Sequence, residues 1–279
     1  MDFTSAFLLA IRALARNKLR STLTMLGIII GVGAVIAVVG IGQGAAAKAQ
    51  EQLAALGSNM LFVGSGSVNR YGLNVGSGQT KSLVLGDAKA IARECPSVSK
   101  AAPGTGTGQQ VVYGNQNWAT QINGTEPQYF EVRHWPFASG TSFGEDDVTQ
   151  SATVAVLGDT VRKYLFGSTN PIGETIRIGT LPFKVVGVLA PKGISAEGGQ
   201  DQDDAIFVPL TTVQKKLLGQ QWLRWIMVSA VSRDASYVAQ RQIVSLLRDR
   251  HKIRPGDPND FVVRNLADVA VQPPSRVPS

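Results

Sequence analysis

Between Arg20 and Lys48 the sequence carries no charged residue, and its core, Thr22 to Gly42, reads TLTMLGIIIGVGAVIAVVGIG. An α-helix of about 20 apolar residues crosses a hydrocarbon core of roughly 30 Å. A globular core helix is seldom so long and so evenly apolar, so the stretch is read as a single membrane span. Arg12, Arg16, Lys18 and Arg20 precede it, whereas Lys48, answered by Glu51, is the one basic residue close behind. Basic flanks stay on the cytoplasmic side. The expected arrangement is therefore a cytoplasmic N-terminus with the bulk of the chain outside the inner membrane of a bacterium.

A cleaved signal sequence is the rival reading, with Ala45-Ala46-Ala47 as a small-residue cleavage site. The apolar run is longer than the about 7–15 residues of a signal core. The leader also has a pattern of its own: at a helical period Phe3, Phe7, Ala10 and Leu14 share one face, and Ser5, Arg12 and Arg16 the other. Residues 1–20 are read as an amphipathic helix on the inner leaflet. Within the span, Gly27 and Gly31 form GxxxG with Gly33 nearby, a spacing that lets a second helix approach closely. Ala45 to Leu56 is rich in helix formers and Gly57-Ser58-Asn59 supplies the stop, so residues 21–57 are expected to make a membrane-and-stalk helix, with Gly40, Gly42 and Gly44 as candidate kinks.

Beyond the stalk the pattern changes. Asn59 to Gly64 reads as a strand, Ser65 to Gln79 as a Gly/Ser/Asn-rich loop, Leu83 to Glu94 as a helix and Val98 to Ala102 as a strand. The same alternation returns late: strand Ile206 to Leu210, short helix Thr211 to Leu218, strand Trp225 to Val231, helix Ala235 to Arg250 with Val238, Ile243, Leu246 and Leu247 on its apolar side, and strand Asp260 to Arg264. Two such halves imply an α/β (α+β) domain with a split βαβ layer. Between them lie short β-rich runs, Val111 to Tyr113, Trp118 to Ile122, Thr153 to Leu157, Thr175 to Ile178 and Phe183 to Leu189, and one helix, Asp159 to Leu165. The domain expectation is a first half at 58–106, an inserted β-rich subdomain at 107–200, a second half at 201–270 and a Pro-rich tail at 271–279.

The charge balance, 27 basic against 20 acidic residues, gives +7, of which +3 falls in the first twenty positions (four basic, one acidic). The other +4 is spread over the rest, so nucleic acid is not an expected partner. One later cluster, Arg248, Arg250, His251, Lys252 and Arg254, is read as cations completing a helix C-terminus. Cys95 is the single cysteine, which rules out an internal disulfide and a cysteine metal cluster. There is no GxxxxGK[ST] or HExxH. Gly104-Thr105-Gly106-Thr107-Gly108 is read as a loop, and the acidic run Glu197, Asp201, Asp203, Asp204 as a solvated loop rather than a cation site. No cofactor, no metal and no catalytic residue is expected, and any ATP hydrolysis belongs to a separate subunit.

The segment RNKLRSTLTMLGIIIGVGAVIAVVGIGQGA (Arg16 to Ala45) is similar to the first transmembrane region of MacB-type ABC transporter permeases. LGSNMLFV (Leu56 to Val63), VAVLG (Val154 to Gly158), LFG (Leu165, Phe166, Gly167), NPIGETIRI (with Pro171 and Gly173), FKVVGVL (with Gly187) and DDAIFVPL (with Pro209) resemble later family motifs, in the same order along nearly the whole chain. The resemblance implies a porter-like α/β part with a β-rich insertion. It also implies a homodimer, a separate P-loop ATPase subunit, and a stalk that passes ATP-driven motion to the outer domain. A periplasmic adaptor and an outer-membrane duct complete the implied assembly, for drug, peptide or lipoprotein export. The family pattern runs on past Asp260 to Val269 into three further membrane helices, whereas this sequence ends VQPPSRVPS; the expectation is either a truncated product or one piece of a split permease whose second fragment carries those helices. The alternative is an anchored binding or interaction module without transport.

Overall fold

The structure is a computed structural model that describes residues 18–55, 59–68, 74–75, 81–195 and 199–266. The expected leader, with Arg12 and Arg16, and the Pro-rich tail lie outside the described residues, as do Gly57 and Ser58. The chain divides into two compact units, Met1–Ala54 and Ala55–Ser279.

The first unit is carried by one helix, α1 (Lys18–Ala55), 38 residues long and so about 57 Å at about 1.5 Å per residue. It runs unbroken through Gly40, Gly42 and Gly44. Its Met25–Gly42 window has a mean hydropathy of 2.6 and none of it is buried. Large apolar side chains are exposed on every side, among them Leu26, Ile29, Ile36 and Val39. A helix apolar all round has no favourable surface to show to water.

The second unit holds fourteen strands among the described residues: β1 (Met60–Ser65), β2 (Ser67–Val68), β3 (Asn74–Val75), β4 (Leu83–Val84), β5 (Val98–Tyr113), β6 (Gln116–Thr125), β7 (Phe137–Gly140), β8 (Val154–Leu157), β9 (Thr175–Ile178), β10 (Leu181–Leu189), β11 (Ala205–Pro209), β12 (Trp222–Leu223), β13 (Trp225–Ala230) and β14 (Phe261–Asn265). The helices are α2 (Leu85–Glu94), α3 (Gln128–Val132), α4 (Glu145–Gln150), α5 (Asp159–Phe166), α6 (Leu210–Thr212), which runs on as a π-turn over Val213–Leu218, and α7 (Arg233–Arg250).

Strands β14, β1, β13 and β5 lie side by side in that order, every neighbour antiparallel. With α2 linking β1 to β5 and α7 linking β13 to β14, this is the split βαβ layer expected from the sequence. Alternation along the strands sends Leu61, Val63, Ile226 and Val228 to one face, where they meet Ile91 of α2 and Ala239, Ile243 and Leu247 of α7. Val238, assigned to the apolar side of α7, is instead 38% exposed, because the buried stripe passes through Ser236 and Ala239. The opposite face, with Met60, Ala102 and Met227, is covered by an aromatic cluster of Tyr129, Phe130, Trp135, Phe143 and Phe207.

The β-rich part is continuous with this layer. β5 pairs with β6, β6 with β11, β11 with β8, β8 with β10, β10 with β9, and β9 returns to β5. The pairings close on themselves, which leaves these six strands few free edges, and their interior packs Ile122, Leu157, Ile176, Phe183 and Ile206 against Val161, Leu165 and Phe166 of α5.

Two sequence expectations fail here. Gly104 to Gly108 is no loop; it lies in the 16-residue strand β5. A Cβ on Gly104 would overlap the Trp225 ring, and one on Gly106 would press on Ile122 and Asn123, so these glycines serve close packing in a strand. Within the expected 65–79 loop, β2 and β3 pair antiparallel.

Candidate membrane helix and outer-domain sites

On α1, a Cβ added at Gly27, Gly31 or Gly33 would meet nothing within 4 Å among the described residues. Gly27 and Gly31 sit one turn apart on one face, and Gly33 projects about 200° from Gly31 at ~100° per residue. Both faces are open to a second helix. Lys18 is exposed at the start of α1. Asn59, at the expected stalk end, serves a local structural purpose. Its side-chain amide donates to the Ala230 carbonyl at 2.6 Å and to Ser229 Oγ at 3.2 Å, tying the start of β1 to the end of β13.

The family-motif positions are distributed over the framework of the domain. Gly158 precedes α5, and its N–H donates to the Ala205 carbonyl at 2.9 Å; a Cβ there would overlap the Asp203 carbonyl. Leu165 and Phe166 fill the interior of the strand circuit. Gly167 ends α5 with φ 57° and Gly173 turns with φ 88°, the left-handed region that favours glycine. Pro171 is buried in the same turn, and Pro209 closes β11. Gly187 lies against β7: a Cβ would overlap the Thr141 carbonyl and stand 3.2 Å from Phe137.

The acidic run is solvated only in part, with Asp201 exposed. Asp203 is 5% exposed, and its carboxylate accepts the backbone N–H groups of Lys192 and Gly193 at 2.8 and 2.9 Å. Asp204 accepts the Trp118 indole N–H at 2.8 Å, and Asp201 accepts the Thr160 hydroxyl at 2.6 Å. These carboxylates fasten the β10–β11 connection to its neighbours. Glu197 lies outside the described residues. No group of three or more His, Cys, Asp or Glu placed to hold a metal occurs among the described residues.

The basic cluster at the C-terminal end of α7 does more than complete a helix end. Arg250 Nε pairs with Asp87 at 2.9 Å. The His251 ring lies between Asp87 (Nε2, 3.3 Å) and Asp260 (Nδ1, 2.8 Å). Asp87 also accepts the Val84 N–H at 3.0 Å, which caps α2. No short-range sequence signal joins positions 87 and 251; only the packing of α2 against α7 does.

Two polar grooves are open in the outer domain. One, of about 450 Å³, runs past Gly108, Gln110, Gln121 and Asp204. The other, of about 310 Å³, is lined by Lys89, Glu126, Gln128 and Glu145. Burial, with the charge of Glu145 adding and Lys89 opposing, holds the Glu126 carboxyl above its ordinary range.

The family model for the MacB-like periplasmic core domain matches residues 21–246. The chain belongs to that family, which is a permease domain and not a catalytic one. Among its relatives, the macrolide export ATP-binding/permease protein MacB of Azoarcus sp. (strain BH72) is 40% identical over 268 residues, which cover 96% of this chain and 39% of that protein. The MacB protein of Syntrophobacter fumaroxidans is 34% identical over 314 residues, 93% of this chain and 44% of that protein. The chain thus spans about two fifths of the length of these relatives. The crystal structure of the periplasmic region of MacB from Actinobacillus actinomycetemcomitans superposes with a TM-score of 0.64 at 26% identity, covering 80% of this chain and 95% of that one. The extracellular domain of the noncanonic ABC-type transporter YknZ from Gram-positive bacteria shares the fold, with a TM-score of 0.59 at 17% identity over 74% of this chain and 100% of that one.

Proposed function

We propose that this chain supplies the first membrane helix and the periplasmic domain of an ABC-type export permease, and that it passes motion driven by a separate P-loop ATPase to cargo or an adaptor outside the inner membrane. The observation that carries the reading is one unbroken helix, Lys18–Ala55, long enough to cross a bilayer and to continue beyond it, within a chain whose family match begins at residue 21 and includes that helix. A stiff rod transmits displacement; a chain broken at Gly40 to Gly44 would absorb it. The basic residues Lys18 and Arg20 at its start favour a cytoplasmic N-terminus. The open Gly27/Gly31 face suits a homodimer or a helix of a second permease fragment. The relatives' names favour macrolides as cargo, and an adaptor and an outer-membrane duct are the further partners that the sequence resemblance implies.

The test joins the chain to its cognate ATPase, in vesicles, with one spin label per copy at exposed Ser99. Transmission predicts that the label-to-label distance changes when ATP is trapped by vanadate. A distance distribution indifferent to nucleotide sinks transmission and leaves an anchored binding module.

A further inference from the structure

Arg133 follows α3, and Lys192 lies in the connection after β10. Both sit over one ring: the Arg133 guanidinium carbon is 5.8 Å and Lys192 Nζ 5.2 Å from the Trp135 centroid. The ring is fixed, being 4% exposed and donating its N–H to the Ala190 carbonyl at 2.8 Å. Between Arg133 and Trp135, His134 adopts φ 44°. A left-handed non-glycine residue is strained backbone of a kind that gathers at functional sites.

The two cations are held by neutral oxygens. Lys192 Nζ donates to the Arg133 carbonyl at 2.5 Å, and Arg133 Nη2 donates to Gln202 Oε1 at 2.5 Å. Among the described residues neither forms an ion pair with a carboxylate. Asp203 is the acid that acts on Lys192, and its two oxygens are occupied by the backbone N–H groups of Lys192 and Gly193. Arg133 Nε is buried without a partner. The electrostatic consequence is visible in the amine: burial and the Arg133 charge, opposed by Asp203, bring Lys192 down to about 8 from 10.5. Two like charges converge on one ring while one described carboxylate, Asp203, acts on the amine, so an added anion is favourable there.

We propose that Arg133 and Lys192, seated on Trp135, form a binding site for one oxyanion of the phosphate class. Arg offers a planar fork and Lys a point charge, a pair suited to a tetrahedral group that carries more than one negative charge. The oxyanion is either a free phosphate or the phosphate of an acidic lipid headgroup. This assignment is independent of the transport reading.

The experiment follows the Lys192 amine by NMR after reductive methylation of the lysines with a carbon-13 label, using the full chain in phosphatidylcholine nanodiscs. Inorganic phosphate is added at an ionic strength matched by chloride. In a second arm, nanodiscs containing phosphatidylglycerol replace those of pure phosphatidylcholine. The expected result is a titration midpoint that climbs from about 8 toward 10.5 with phosphate, with phosphatidylglycerol, or with both; the first arm identifies a free anion and the second a lipid headgroup. In Arg133→Gln the midpoint starts higher, because the repelling charge is gone, and neither addition moves it further. A shift no larger than chloride produces, or one that survives in Arg133→Gln, overturns the proposal. A retained amide spectrum certifies the fold of the variant.

Discussion

At the scale of single residues, the glycines separate into those the packing requires and those it does not. A Cβ at Gly187 would overlap the Thr141 carbonyl and touch Phe137, and neither neighbour is the free end of a flexible side chain. Gly187→Ala is therefore expected to destabilise the outer domain by about 1–3 kcal/mol, the range for an overpacked site. At Gly108 the nearest group is the Gln121 amide at 3.4 Å, so Gly108→Ala should change stability by less than about 0.5 kcal/mol. Urea unfolding of both variants decides the matter, and equal losses would refute the packing account. His251 gives a prediction in pH. Burial alone would lower its pKa, but hydrogen bonds and charge from Asp260 and Asp87 outweigh burial and raise it above 6.5. A raised folded pKa means that the stabilisation is complete below 6.5 and fades as pH rises through the folded value. Unfolding midpoints should fall as pH climbs through neutrality, and His251→Gln should flatten that slope. An unchanged slope in the variant would place the titration elsewhere. None of this was legible locally: Gly104, Gly106 and Gly108 look alike in sequence, and only the partners across the sheet distinguish them.

At the scale of elements, α1 was the most legible part of the chain, because the uncharged stretch from Thr22 to Gly42 leaves few alternatives to a membrane span. The strands of the split layer were legible from their apolar runs, and β5 was read too short because strand glycines resemble a turn when the covering Trp225 is 121 residues away. The acidic connection before β11 was misread for the same reason: Asp203 finds its backbone partners ten and eleven positions earlier. The open face of α1 supplies a prediction that the helix itself does not perturb. Since nothing among the described residues lies within 4 Å of a Cβ at Gly27 or Gly31, Gly31→Leu should leave α1 intact while hindering a partner helix. If copies associate through that face, energy transfer between labelled full-length chains in bilayers should report dimerisation weakened about tenfold, equivalent to about 1.4 kcal/mol. Gly33→Leu, on the far side, should have a smaller effect. Association unaffected by Gly31→Leu would assign the dimer contact to another surface.

At the scale of the whole molecule, the division of the chain predicts which parts fold together. Every buried side chain among the described residues lies between Met60 and Asn265, and the three apolar clusters draw on both halves of the split layer and on the strand circuit. β5 runs through residue 106, the expected boundary between porter-like part and insertion, and contributes Ala102 to one cluster and Val111 to another. A strand shared in this way couples the two parts, so the insertion should not unfold ahead of the layer that carries it. The helix contributes to none of the clusters, and a domain with its own core can fold alone. A fragment of residues 59–266 should therefore be soluble and unfold in one transition, with the same midpoint whether read from the Trp225 region or from Trp118 in the strand circuit. Tryptophan fluorescence of two single-tryptophan variants, one that keeps Trp118 and one that keeps Trp225 with the other three tryptophans replaced by Phe, each compared with circular dichroism, provides the two local readings. Separate midpoints would make the strand circuit an independent subdomain attached to the layer, and a fragment that never folds would show that the core depends on the membrane helix.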